Sequence, residues 1–154
     1  MGVSGSGKTT IGKKLSSKTG LPFFDADDFH PPANKEKMKA GIALTDDDRQ
    51  DWLLQLNLLA KRESMNEGAI IACSALKEKY RQQLTEDVHS PVHWVFLQGS
   101  YKVINERLKA RTDHYMSATL LQSQFDILEI PAGVIVVNIE NEPDKIVKEI
   151  LDQL

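Results

Sequence analysis

Residues 2–9 read GVSGSGKT, and this stretch decides the fold. Its spacing matches G-x-x-x-x-G-K-[ST], a loop that cradles a polyphosphate and ordinarily joins a buried strand to a helix. Gly2, Gly5 and Gly7 let the backbone come close to an anion, and with Val3, Ser4 and Ser6 they supply its N–H donors. Lys8 is placed to meet the β and γ phosphates of ATP, Thr9 to ligate Mg²⁺, and Thr10 to offer a second hydroxyl near the α phosphate.

Outward from the loop, helical and strand patterns alternate. Ile11 and Leu15 lie one turn apart in a helix that Gly20 stops. LPFF makes a short strand ending at Asp25, and a short helix is expected over 33–40. Thr45 is placed to cap the next helix, with Asp46, Asp47 and Asp48 at its positive end and Trp52, Leu53, Leu56, Leu59 and Ala60 on the 3.6 period. AIIAC at 69–73 is a continuous β-prone run, as in a strand covered on both faces. A helix through Leu76, Tyr80 and Leu84, a strand at 92–97 and a helix over 101–111 follow. Then come a helix holding Leu120, Leu121, Phe125 and Leu128, a strand at 134–139, and a last helix with Ile146, Val147, Ile150, Leu151 and Leu154 on one face. This order predicts an α/β fold, a parallel sheet with right-handed crossovers covered by helices on both faces. No repeat or linker divides the chain, so residues 1–154 are expected to form one domain with RTDHYMSAT, 111–119, as its lid.

Only Met1 precedes the loop, so the usual first, central strand is absent from this chain. Four strands can be counted behind the loop. Without a fifth between them, two inner strands would leave N–H and C=O groups unpaired, each costing on the order of 1 to 3 kcal/mol if buried. A start further upstream, a truncated form, or a strand supplied by a partner chain would each account for this. A shortened form is the expectation, and an inactive chain the corresponding rival reading.

Composition narrows the function. Of the 154 residues, 41% are hydrophobic and 27% charged, with a net charge of −3, which argues against a dominant nucleic-acid or membrane surface. No apolar run approaches the roughly 18 residues of a membrane span, and no signal peptide is visible, so a cytoplasmic protein is expected. The single cysteine, Cys73, excludes an internal disulfide and reads as a buried structural thiol.

The chemistry should gather where the strands end. DADDFHPP, at 25–32, follows the first strand, and ligands of open parallel sheets bind beyond the strands' carboxyl ends. Phosphoryl transfer to a hydroxyl calls for one carboxylate to hold hydrated Mg²⁺ and another to accept the hydroxyl proton, which makes Asp25 and Asp27 the candidates. Arg49 is a further candidate, and Lys77 and Arg81, one turn apart beyond AIIACS, are expected to point together at a substrate anion. Arg107 and Arg111, also i and i+4, lead into the lid and would reach the transferring phosphoryl group. His30, inside the acidic motif, and His114, inside the lid, complete the set, and no His/Cys/Asp spacing suggests zinc.

Together these strings resemble the gluconokinase family of small P-loop carbohydrate kinases. The matching segments are MGVSGSGKTT, FFDADDFHPPANKEKMKAGIALTDDDRQDWL, ACSALKEKYR and RLKARTDHYMSATLLQSQFDILEIP, in family order over nearly the whole chain. The resemblance implies transfer of the ATP γ-phosphoryl group to the 6-hydroxyl of D-gluconate. It implies Asp25 nearest the magnesium and Asp27 nearest the sugar hydroxyl, His30, Arg49, Lys77 and Arg81 on the sugar acid, and Arg107 and Arg111 on the phosphates. It adds Gln124 as a substrate residue, IENEP at 139–143 as an adenine-flanking loop, and a homodimer. The lid departs from the family, with RTDHYM in place of R-x-GHFM. Shikimate and nucleoside monophosphate kinases share the loop and topology but not CSALKxxYR or DDDRxxWL.

Overall fold

Behind the glycine-rich loop the chain turns at once into α1 (Lys8–Thr19), entered through Gly7 at φ 97° and left through Gly20, whose N–H donates to the Ser16 carbonyl. The structure is a computed structural model and describes residues 1–110 and 118–154. Among the described residues, α1 is followed by β1 (Phe23–Asp25), α2 (Pro32–Lys39), α3 (Gln50–Ser64), β2 (Ile70–Ala72) and α4 (Glu78–Thr85). The order closes with β3 (Val95–Gln98), α5 (Tyr101–Lys109), α6 (Ala118–Asp126), β4 (Ile135–Asn138) and α7 (Pro143–Leu151). The fold is α/β, as the alternation predicts.

β1 pairs with β2, and β3 with β4, both parallel, with Phe24 opposite Ile71 and Phe96 opposite Val136. Met1 and Gly2 run between the two pairs. The Met1 nitrogen donates to the Val95 carbonyl, the Leu97 N–H donates to the Met1 carbonyl at 3.0 Å, and the Gly2 N–H donates to the Ser74 carbonyl at 3.1 Å. Residue 1 thus bonds toward β3 and residue 2 toward β2, the alternation of a parallel strand. The central position ahead of the loop is bridged at its carboxyl end by these two residues.

Upstream of that bridge the sheet differs from its sequence reading. Ile70 and Ile71 pack against opposite apolar layers, as the cover on both faces read from AIIAC requires, yet both stay partly exposed and only Ala72 of β2 is buried. The cause is local: among the described residues β2 has β1 as its one strand neighbour. The strand expected at 92–97 starts at Val95, where register with Ile135 begins.

Two apolar layers cover the strands. Val3, Ile11, Leu15, Leu97, Ile104, Val137, Ile146 and Ile150 form one, so α1, α5 and α7 share a face. Met1, Trp52, Leu53, Leu56, Tyr80 and Phe96 form the other, beneath α3 and α4. Phe96 and Leu97, neighbours in β3, fall on opposite layers, as the alternation of a strand requires, while Met1 and Val3, two residues apart, lie in different layers because the backbone turns into the loop at Gly2, at φ 137°. Burying each large side chain of this kind stabilises by about 1.5 to 3 kcal/mol. Gly12 permits α1 to lie against β1, since a Cβ there would sit 2.4 Å from the Phe23 ring. Asn57, buried in α3, donates to the Leu84 and Glu86 carbonyls and so closes the end of α4.

Candidate functional site

The phosphate loop is held in shape from three sides. Lys8 Nζ donates to the Gly2 and Val3 carbonyls at 3.0 and 3.1 Å, folding its ammonium back over the loop. The Ser4 N–H donates to Gln124 Oε1 at 2.7 Å, and Gln124 Nε2 donates to Ser4 Oγ at 3.2 Å, so α6 grips the loop through one amide side chain. Beneath Gly5, at φ 82°, the Leu108 side chain of α5 leaves no room for a Cβ, which would meet it at 2.9 Å. Ser6 Oγ is buried and, among the described residues, has no hydrogen-bond partner.

Across the crevice stands the acidic turn that follows β1. Thr9 Oγ1 donates to Asp25 Oδ2 at 2.6 Å, while Asp25 Oδ1 accepts from the Asp27 N–H at 3.2 Å. Asp25 is therefore both neighbour to the loop and cap of the 3-10 turn Ala26–Phe29. Trp52 anchors that turn by donating Nε1–H to the Ala26 carbonyl at 2.7 Å, and its ring stacks on His30 with centroids 4.4 Å apart. Asp27 is exposed at the crevice. A cleft of about 420 Å³ opens between α1 and this segment, lined by Thr9, Phe24, Asp25, Asp28 and Phe29.

The Thr9 and Asp25 oxygens fit a small hard cation. Among the described residues there is no cluster of three His, Cys, Asp or Glu side chains suited to a metal. Mg²⁺ needs none, since it is ordinarily held by one or two protein oxygens together with substrate phosphates and water.

His30 is buried, and its Nδ1 has no hydrogen-bond partner among the described residues. Burial, with Arg49 and Lys35 nearby, lowers its pKa to about 4, so the ring is neutral at physiological pH.

A second cluster lies where the acidic segment before α3 meets the segment after β2. Asp46 accepts from Lys77 Nζ at 2.9 Å, from Lys79 Nζ at 2.5 Å and from the Tyr80 hydroxyl. These three donors hold its carboxyl well below the usual carboxylate range, and burial with the Asp46 contact pushes the Tyr80 phenol up to about 12. The Arg49 guanidinium stands 5.5 Å from the Tyr80 ring centre and donates to the Leu44 and Thr45 carbonyls. Thr45 and Asp48 cap one another, the Asp48 carboxylate accepting from the Thr45 N–H and Thr45 Oγ1 from the Asp48 N–H. Asp46 is thus not spent on the helix end, as its place in the acidic first turn suggested.

The structure brings Lys8, Thr9, Asp25 and Gln124 to the loop, and Asp27 and His30 to the turn that Asp25 caps. Arg49 and Lys77 share a ring contact with Tyr80. It does not bring Arg81 to Lys77. Arg81 is buried, donating to the Ala75 carbonyl at 2.8 Å and to Glu78, and it lines a separate cavity of about 380 Å³ with His93 and Trp94 at the amino ends of β3 and β4. The i, i+4 spacing put both cations on one helix face, but Ala75, at φ 45°, turns its carbonyl to Arg81. Arg107 donates to the Ile139 carbonyl at 2.6 Å, beside the IENEP segment. Arg111, His114 and the lid residues 111–117 lie outside the described residues. Lys79 and the Tyr80 hydroxyl escaped the sequence reading. Their signal was the K-x-K-Y spacing of LKEKY, which sets both lysines beside one phenol.

Residues 4–154 match the family model described as shikimate kinase. The chain is 43% identical to a gluconokinase of Gluconobacter oxydans (strain 621H) over 98% of its length and 86% of that protein's. It is 40% identical to a gluconokinase of Arabidopsis thaliana over 100% of its length and 89% of that protein's. The crystal structure of a gluconokinase from Sinorhizobium meliloti 1021 superposes with a TM-score of 0.89 at 42% identity, covering 99% of this chain and 87% of that one. Among the described residues no helix is long and apolar enough to cross a membrane.

Proposed function

We propose that this chain, which belongs to the gluconokinase family of shikimate kinase-type proteins, transfers the γ-phosphoryl group of ATP to the 6-hydroxyl of D-gluconate. The products are 6-phospho-D-gluconate and ADP, formed by a cytoplasmic protein in a homodimer. Residues 1–154 act as one kinase domain. The observation that carries this reading is the 2.6 Å contact between Thr9, at the head of α1, and Asp25, at the end of β1. It sets a phosphate-binding loop and an acidic, hydroxyl-accepting turn on one crevice, as phosphoryl transfer to an alcohol demands.

Each residue then has a task. The loop amides and Lys8 meet the phosphates, with the Lys8 ammonium turning from the Gly2 and Val3 carbonyls to the anion. Thr9 and Asp25 would hold Mg²⁺, which would supply charge neutralisation to the substrate's phosphates. Asp27 orients the acceptor hydroxyl and takes its proton. Neutral His30, stacked on Trp52, supports the turn on the sugar side, Arg49 and Lys77 receive the sugar's carboxylate, and Arg81 braces the segment that carries Lys77. Arg107 and Arg111 serve the transferring phosphoryl group, His114 serves the substrate, and Gln124 positions the loop.

Coupled ADP release measured with gluconate, shikimate and nucleoside monophosphates tests the reading. Turnover is expected with gluconate. Turnover with shikimate and none with gluconate would replace it by the activity for which the matching family model is described.

A further inference from the structure

Three donors from one segment converge on one carboxylate from another. Lys77, Lys79 and Tyr80 follow β2, whereas Asp46 belongs to the connection ahead of α3. Two ammonium groups meet this one carboxylate, and the Arg49 guanidinium stands over the Tyr80 ring beside them. Asp46 contributes little else to the fold. Its side chain caps no helix and stays about one third exposed, at 34%. A carboxylate held by three donors, yet by no packing of its own, behaves as a ligand that the chain itself carries.

We propose that Asp46 is a resident stand-in for the substrate's carboxylate: the sugar acid exchanges with it on Lys77, Lys79 and Tyr80, and this exchange sets the site's preference for acids. The inference rests on the sugar-acid reading above and concerns how that acid is admitted. A tethered anion competes intramolecularly, at an effective concentration of roughly millimolar, so it raises the KM for the acid. It also keeps the donors assembled, which lowers the ordering cost when the substrate arrives. A neutral polyol of the same length gains nothing, because displacing Asp46 without supplying a carboxylate would leave charged donors unpaired. Asp46 is in this sense a specificity-determining residue.

The experiment compares the wild type with Asp46→Asn, which keeps the shape and removes the charge, and with Asp46→Glu, which keeps the charge. Calorimetric binding and steady-state kinetics are read with D-gluconate and with D-glucitol, its neutral counterpart. Asp46→Asn is expected to bind gluconate about fivefold more tightly, with KM falling in step, the scale of a partly exposed ion pair. The KM for ATP should move less than twofold, glucitol should remain a poor ligand of both proteins, and Asp46→Glu should return the gluconate KM toward that of the wild type. An unchanged or higher gluconate KM in Asp46→Asn, with an unaltered melting temperature, would overturn the proposal. If Asp46→Asn melts early, carbon-13 NMR of the wild-type Asp46 carboxyl decides. On gluconate addition its pKa should rise toward the ordinary range, and a carboxyl that does not respond refutes the exchange. The two readings fail separately. Turnover of gluconate by the wild type without the expected shift in Asp46→Asn removes this inference alone, whereas tighter gluconate binding by Asp46→Asn without turnover removes the kinase reading alone.

Discussion

The Thr9 hydroxyl and the Asp25 carboxylate meet at 2.6 Å across a sequence separation of 16, joining the first turn of α1 to the last residue of β1. Because Asp25 also accepts from the Asp27 N–H, its charge organises both the metal end and the acceptor end of the crevice. Asp25→Asn is expected to raise the Mg²⁺ concentration needed for half-maximal turnover at least ~10-fold, the scale of a lost ligand or supporting carboxylate. A Mg²⁺ titration of initial rates checks this, and an unchanged midpoint would place the metal elsewhere.

Lys8 and Asp27 bear on the chemical step from opposite sides of the transferring group. Lys8→Ala or Asp27→Asn should lower turnover at least ~100-fold while leaving the melting temperature near that of the wild type. Near-normal kcat in Asp27→Asn would remove Asp27 as the base.

Gly12 lies against the Phe23 ring with no space for a methyl group, since a Cβ would approach to 2.4 Å. Gly12→Ala should destabilise by about 1 to 3 kcal/mol, although alanine has the better helix propensity, because overpacking outweighs the gain of about 1 kcal/mol. Urea unfolding measures the difference, and Phe23→Leu in the same chain should recover part of it. A stabilised Gly12→Ala would show that α1 can shift on β1.

The buried imidazole of His30 gives stability a definite pH slope. Its folded pKa of about 4 lies below the ordinary 6.5, so between these values the unfolded chain binds a proton that the folded chain refuses. The contribution is fully present above pH 6.5, declines as the pH falls toward 4 and is constant below it, for a total of order 3 kcal/mol. Unfolding midpoints across this window should fall more steeply in the wild type than in His30→Gln. Parallel curves would mean that water reaches the ring.

The helices were legible because periodicity reports a buried face directly. Ile11 and Leu15 in α1, and Ile146, Val147 and Ile150 in α7, point to the core as their spacing requires. The phosphate loop and the acidic turn were legible because each is one short contiguous string. The partners of Arg81 and Asp46 were not, since both depend on the path of a connection. Ala75, with its left-handed backbone, aims a carbonyl at Arg81, and the segment before α3 carries Asp46 to Lys77, Lys79 and Tyr80. Spacing says which residues share a helix face; it does not say which of them a distant loop will engage.

Mechanically, Met1 and Gly2 are a seam. The pair β1 and β2 carries Asp25 and leads into Asp27 and Lys77, while the pair β3 and β4 leads into α5 and the Ile139 carbonyl that Arg107 engages. The loop that would grip a nucleotide springs from the seam itself, where three backbone hydrogen bonds tie the halves. A ligand there acts as a keystone as well as a substrate. At a hundred times its Kd it would add about 2.7 kcal/mol to the stability of the folded chain, and it would do so from the place where both strand pairs are joined.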